Sequence, residues 1–269
     1  MAPHFHTPAE RPLSDAVRSF WELERNNTGA IKESIVPKGV VEIIFNFLPG
    51  TTIHGRLYDR TYAMPKCFIQ GYHTNIIELT LPDDLFLFGV VLHVGATEHI
   101  LRVPSGEFAR QCIDLTLVDT SFSTLWHQLA EKRTFSARVA HFSDWLTRRL
   151  PCPSPREQAL NALLTLKSGI PLSVPAISEW LCCSPRHLSR ILRERTGMNS
   201  EQTLLYLKYL NAVDHMHRSD LSLTRIAYAC GFSDQSHFIK VFKSLTTLTP
   251  AAYRSRKSDL AGHLFEVVR

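Results

Sequence analysis

Two stretches near the C-terminal end of this 269-residue chain carry side chains of the types that read or grip a nucleic acid. In the first, Arg186, His187, Arg190 and Arg193 fall on one side of a helical wheel, with Leu188, Ile191 and Leu192 on the other. In the second, Gln235, Ser236, His237, Lys240 and Lys243 oppose Phe238, Val241 and Phe242. Arginine can pair with guanine through two hydrogen bonds and glutamine with adenine, whereas lysine meets phosphate. Ser184 and Ser233, each just ahead of its helix, complete the set of candidate DNA-contacting residues. A single basic face is as often a solvated surface; two in matching surroundings point to duplex DNA.

The surroundings do match. AISEWLCCSPRHLSRILRERTG (176–197) and TRIAYACGFSDQSHFIKVFKSLT (224–246) form a weak internal repeat. Aligning Ile177 with Ile226 sets Ser178 opposite Ala227 and Cys183 opposite Phe232. One extra residue in the second copy then brings Leu188, Ile191 and Leu192 onto Phe238, Val241 and Phe242. Each copy reads as a short helix, a sharp turn and a second helix, the helix-turn-helix plan. Gly231 suits the left-handed backbone that ends a helix, and Ser233 is the expected N-cap of the next, with Asp234 adding charge at its start. In the first copy Ser184 caps, Pro185 takes the first helical position and Gly197 closes the helix. Small Ser178 and Ala227 are expected where the two helices of each motif approach most closely. Between the copies, SEQTLLYLKYLNAVDHMH (200–217) reads as a helix with Leu204, Leu207, Leu210 and Met216 inward. Its 18 residues span about 27 Å. With the flanking helices that suits two recognition helices one DNA turn, about 34 Å, apart.

The string GFSDQSHFIKVFK (231–243), followed by TPAAYR (249–254), closely resembles the signature of AraC/XylS-type transcription regulators. The resemblance covers about residues 160–256. It implies a seven-helix DNA-binding domain that recognises a promoter site and usually contacts RNA polymerase. Three positions depart from the pattern: Thr247 and Cys182 stand where glycines are usual, and Ser178 where alanine is usual. All three residues are small, so they bear on local stability.

The first half is of another kind. VVEIIFNF (40–47), KCFIQGY (66–72), NIIELTL (75–81) and LFLFGVVLHV (85–94) are short apolar or alternating runs separated by Pro, Gly and Asp, which predicts a small barrel or sandwich. From about 96 the pattern turns helical. It ends in a stripe of Val139, Phe142, Trp145, Leu146 and Leu150 that would serve either a dimer seam or packing on the domain's own sheet. VPKGVVEIIFNF (36–47), FIQGYHT (68–74) and FGVVLHVGATEHILRVPSGEF (88–108) resemble a cupin-like, β-rich N-terminal domain of some such regulators, which senses a signal or dimerises. Val91 and Val94 stand where that pattern more often has Arg and Pro.

The expected fold class is therefore α+β: a β-rich domain with trailing helices at 1–150, a proline-rich linker at 151–156, an all-α DNA-binding domain at 157–257 and a tail at 258–269. Charge follows the same division, with a net of −1 for residues 1–150 and +6 for 151–269. A basic second half suggests that only it meets a polyanion. The six cysteines (Cys67, Cys112, Cys152, Cys182, Cys183 and Cys230) are scattered without a CxxC pair, as free thiols would be. Adjacent Cys182 and Cys183 read as small packing residues before they read as a redox pair. His4, His6, His54, His73, His93 and Glu98 include residue types of a cupin metal site but lack its tight grouping, and His4 and His6 are expected in a loose end. No catalytic set, metal or cofactor is predicted, so a metal-binding enzyme is the weaker alternative to a regulator. A constitutive regulator whose first half only dimerises is the nearer one. The expected partners are promoter DNA, RNA polymerase, a small-molecule effector and a second copy. No apolar run is long enough to span a membrane, and the location expected is the cytoplasm, at the nucleoid.

Overall fold

The computed structural model describes residues 3–267 apart from 49, 51, 152 and 166–172. Strands dominate the first half: β1 (His4–His6), β2 (Val17–Arg25), β3 (Ile31–Ile35), β4 (Val41–Asn46), β5 (His54–Leu57), β6 (Arg60–Ala63), β7 (Cys67–Gln70), β8 (Ile77–Leu81), β9 (Leu85–Leu92) and β10 (Cys112–Asp114). Helices α1 (Leu13–Ala16), α2 (Ala96–Leu101), α3 (Leu115–Val118), α4 (Ser121–Ala130) and α5 (Phe135–Thr147) are set among and after them. Six strands form one sheet in the order β1-β2-β9-β4-β7-β10. Central β4 is buried at every position, which is why VVEIIFNF reads as a nearly unbroken apolar run. Phe45 and Phe88 on one face of this sheet meet Phe142 of α5 at ring separations of 6.0 and 6.4 Å. Val139, Phe142 and Leu146 are thus buried in the chain's own core, so the α5 stripe packs on its sheet and is not a free dimer seam. On the other face Ile44, Phe68 and Leu87 close against Ile53 and Leu81, beneath the second sheet. Gly89 allows Trp21 to lie across the sheet, since a Cβ there would sit 2.0 Å from the indole. The indole nitrogen in turn donates to Glu42 at 3.0 Å.

Two expectations are corrected. His4 and His6 are not in a loose end but in β1, paired with Glu22 and Phe20 of β2. Three residues are too few to show alternation in sequence, and an available strand edge decides the pairing. The expected tail also contains a strand, β11 (His263–Val267), which completes the second sheet in the order β11-β3-β8-β5-β6. Its pairing lies across more than two hundred residues from β3, beyond the reach of any local signal.

The second half contains seven helices among the described residues: α6 (Pro155–Leu164), α7 (Val174–Trp180), α8 (Pro185–Thr196), α9 (Ser200–Arg218), α10 (Leu223–Ala229), α11 (Gln235–Thr246) and α12 (Pro250–Arg256). Helix α6 starts in a capping box made by Ser154 and Glu157. Cys152, within the expected linker, lies outside the described residues. The predicted inward residues Leu204, Leu207 and Met216 of α9 are buried, and Tyr206 and Tyr209 are buried as well. Their hydroxyls reach the first half: Tyr206 donates to the His73 carbonyl at 3.0 Å and Tyr209 to the Pro37 carbonyl at 3.2 Å. A single apolar core therefore runs through both halves.

Candidate nucleic-acid interface

The two motifs are built by the same hydrogen bonds. In the first, Leu181 N–H donates to the Ile177 carbonyl, Cys182 N–H to Glu179 and Cys183 N–H to Ser178; in the second, Cys230 donates to Ile226, Gly231 to Tyr228 and Phe232 to Ala227. These are matched helix terminations in which a left-handed residue satisfies the last carbonyls. That residue is Cys182 at φ +49° in one copy and Gly231 at φ +74° in the other. Buried Ser178 and Ala227 hold the same place in both.

The recognition helices begin alike, with one change from expectation. Ser184 caps α8, its hydroxyl accepting the His187 N–H at 3.2 Å, and Pro185 follows. Asp234, not Ser233, caps α11, accepting the His237 N–H at 2.8 Å. The ionised carboxylate makes the stronger, charge-assisted bond to the helix start. That bond holds Asp234 below the usual carboxylate range. Ser233 lies one residue earlier, its Oγ 3.0 Å from His237 Nδ1.

Superposing the caps aligns the outer faces. His187 matches His237, Arg190 matches Lys240, Arg193 matches Lys243, and Arg186 matches Ser236. Ser184, Arg186, Arg190, Arg193, Ser233, Gln235, Ser236, Lys240 and Lys243 are all exposed, and the two histidines are half-buried. Leu188, Leu192, Phe238, Val241 and Phe242 are buried behind them, and Ile191 is partly so. The repeat also continues past the recognition helices. Thr196 and Thr246 each donate to the carbonyl four residues back, at 2.7 and 2.8 Å, and each accepts the N–H two residues on. Gly197 and Thr247 then take the left-handed turn, and Asn199 and Thr249 cap the next helices.

Four supporting residues were not singled out from sequence. Thr224, in the first turn of α10, donates to Gln235 Oε1 at 2.9 Å and so orients that amide. Glu194 pairs with Arg190 at 3.1 Å, an exposed contact that steers more than it stabilises. Lys208 of α9 donates to the Gly231 carbonyl at 2.6 Å, bracing the second turn. Arg156 of α6 joins Leu160, Leu181, His187, Arg190 and Arg195 around a cleft of about 260 Å³ beside α8. Arg156 lies beyond either motif's local pattern, and the tie from Thr224 crosses a turn. Burial pushes the Cys230 thiol up to about 12, leaving it protonated and inert. The other end of α8 is docked on the first half, where Ser105 Oγ donates to the Arg195 carbonyl at 2.6 Å and Arg195 pairs with Glu98.

Of the candidate metal-site residues, His73 is buried with Nδ1 2.7 Å from the Asn75 carbonyl, and burial pushes it down to about 4. His54 is exposed at the end of β5. Among the described residues no three His, Cys, Asp or Glu side chains converge as metal ligands would. No helix among them is long and apolar enough to cross a membrane.

Comparison with known proteins gives two family matches: residues 177–256 to a helix-turn-helix domain and residues 5–114 to a domain of unknown function (DUF6597). The transcriptional activator RhaS of Yersinia pestis is 37% identical over 250 residues, covering 82% of this chain and 85% of RhaS. The regulator GlxA of Rhizobium meliloti is 38% identical over 89 residues, covering 33% of this chain and 28% of GlxA. Among solved structures, ToxT of Vibrio cholerae aligns over 88% of this chain and 98% of its own at 12% identity and a TM-score of 0.48.

Proposed function

Since this chain belongs to the AraC/XylS family of transcription regulators, we propose that it reads a promoter with α8 and α11 in successive major grooves of one duplex face. The observation that carries this is the matched pair of recognition helices, with a histidine, a cation and a second cation at equivalent exposed or half-exposed positions. They flank the single 19-residue α9, which spans about 28 Å. Gln235, Arg186 and Arg190 read bases, Gln235 with its amide oriented by Thr224 and Arg190 steered by Glu194. His187 and His237 stand at the groove-entering ends. Arg193, Lys240 and Lys243 grip phosphate, and Ser184, Ser233 and Ser236 approach the backbone at the helix starts.

The likeness to RhaS, named as an activator, supports activation of transcription. We assign residues 1–150 to effector sensing or dimerisation and 157–257 to DNA. Selection of sites from a random duplex pool tests the reading. Gln235→Ala and Arg190→Ala should each flatten preference at a few base pairs, worth about 1–3 kcal/mol per contact. Lys243→Ala should weaken all duplexes alike and lower the salt dependence. Site preferences unchanged in both reading variants would move specificity to DNA shape.

A further inference from the structure

Beyond the last helix of the second motif the chain returns to the first half. β11 pairs residue for residue with β3, from His263 opposite Ile35 to Val267 opposite Ile31. Gly262 is the junction, in left-handed backbone at φ +84°. Its N–H donates to Tyr253 Oη of α12 at 3.2 Å, and its carbonyl accepts the Val36 N–H at 2.9 Å. One residue thus holds both halves. The side chains divide in the same way: Glu266 pairs with Arg256 of α12, whereas His263 Nδ1 lies 2.5 Å from Glu33 Oε1 of β3. Lys38 Nζ is 3.4 Å from His263 Nε2 and donates to Glu42 at 3.2 Å.

Residues 36–39 are also held from their other side, by α9. The Pro37 carbonyl accepts from Tyr209, the Gly39 N–H donates to Tyr206 Oη at 3.0 Å, and Leu210 closes on Gly39. This same segment joins β3, in the five-stranded sheet, to β4, in the six-stranded one. Any shift of one sheet against the other therefore displaces one of the places where the DNA-binding half is attached, apart from the docking of α8 at Ser105 and Glu98.

We propose that β11 is an interdomain clasp that, with residues 36–39, couples the DNA-binding half to the relative position of the two sheets. The proposal rests on the DNA-binding reading for its functional readout. Coupling between two sites is reciprocal, so duplex bound by α8 and α11 must alter the sheet just as the sheet alters them.

The test is hydrogen exchange in the full chain and in a chain ending at Ser258, each with and without a duplex that the full chain has selected from a random pool. In the full chain the duplex should change exchange at residues 31–39 and 77–81 by about fivefold or more. In the shortened chain the duplex should still bind but leave those residues unaffected. Glu33→Gln, which keeps the strand but removes the charge facing His263, should give a smaller form of the same loss. Sheet exchange that ignores the duplex in the full chain, or responds equally in both chains, overturns the clasp. If the full chain selects no duplex, it is the DNA reading that fails. The clasp then stands only if ending the chain at Ser258 speeds exchange at residues 36–39 and at Tyr206 and Tyr209, and unchanged exchange there overturns it.

Discussion

Replacing Thr247 by glycine should stabilise the protein. Helix α11 ends with Thr247 in left-handed backbone at φ +57°, where its N–H donates to the Lys243 carbonyl at 2.8 Å. For an L-residue this conformation costs about 1–2 kcal/mol, and β-branching makes threonine a poor occupant. The Thr247 side chain is exposed, so its removal forfeits little packing. Glycine brings extra freedom to the unfolded chain, which offsets about 0.5–1 kcal/mol. The net expectation is a gain of about 0.5–1 kcal/mol, or a rise of about 1–4 °C in Tm for a chain of this size. The first motif serves as an internal control, since Gly197 already occupies the equivalent place at φ +75°. Thr246 next door is buried and bonds the Phe242 carbonyl and the Leu248 N–H, so Thr246→Val should instead cost about 1–3 kcal/mol. Thermal and urea unfolding of both variants would decide. A Thr247→Gly protein that melts at or below the parent would refute the strain argument.

The buried Ser178 hydroxyl has no hydrogen-bond partner, whereas Ala227 fills the same place in the second motif without one. Ser178→Ala should therefore gain about 1 kcal/mol in urea titration, and a loss would mean that the hydroxyl is satisfied in solution. Gly39→Ala should cost about 1–3 kcal/mol, because φ is +63° and the new Cβ would lie 2.4 Å from Leu210 Cδ1. Its signature would be faster exchange in α9 at Tyr206 and Tyr209. Acid should weaken the fold through His73, whose ordinary value of 6.5 is pushed down to about 4 by burial. The stability held by the neutral ring is complete above about 6.5 and is lost as pH falls through 4, about 3 kcal/mol in all. Urea midpoints across that range should show a shallower slope in His73→Leu than in the parent, the remainder coming from His263, which burial also pushes down.

The sequence by itself determined the double motif, because every signal for it is local. The cap at Ser184, the turn glycines Gly197 and Gly231, and apolar residues at three- and four-residue steps all act within one helical turn. The strand runs of the first half were legible for a similar reason, being set by burial on one or both faces. Ser233 and Asp234 are both residue types that suit a helix cap, and only the backbone geometry puts Asp234 there. What tertiary structure alone decided is how distant segments meet. His263 finds Glu33 across 230 residues and Tyr209 finds Pro37 across 172. β1 becomes a strand only because β2 offers it an edge. Helix α9 looked one-faced in sequence, yet its tyrosines are buried because the first half supplies carbonyls for their hydroxyls. A local pattern specifies which residues leave water; the folded neighbours specify which partner each one meets, and a buried polar group is stable only where that partner exists.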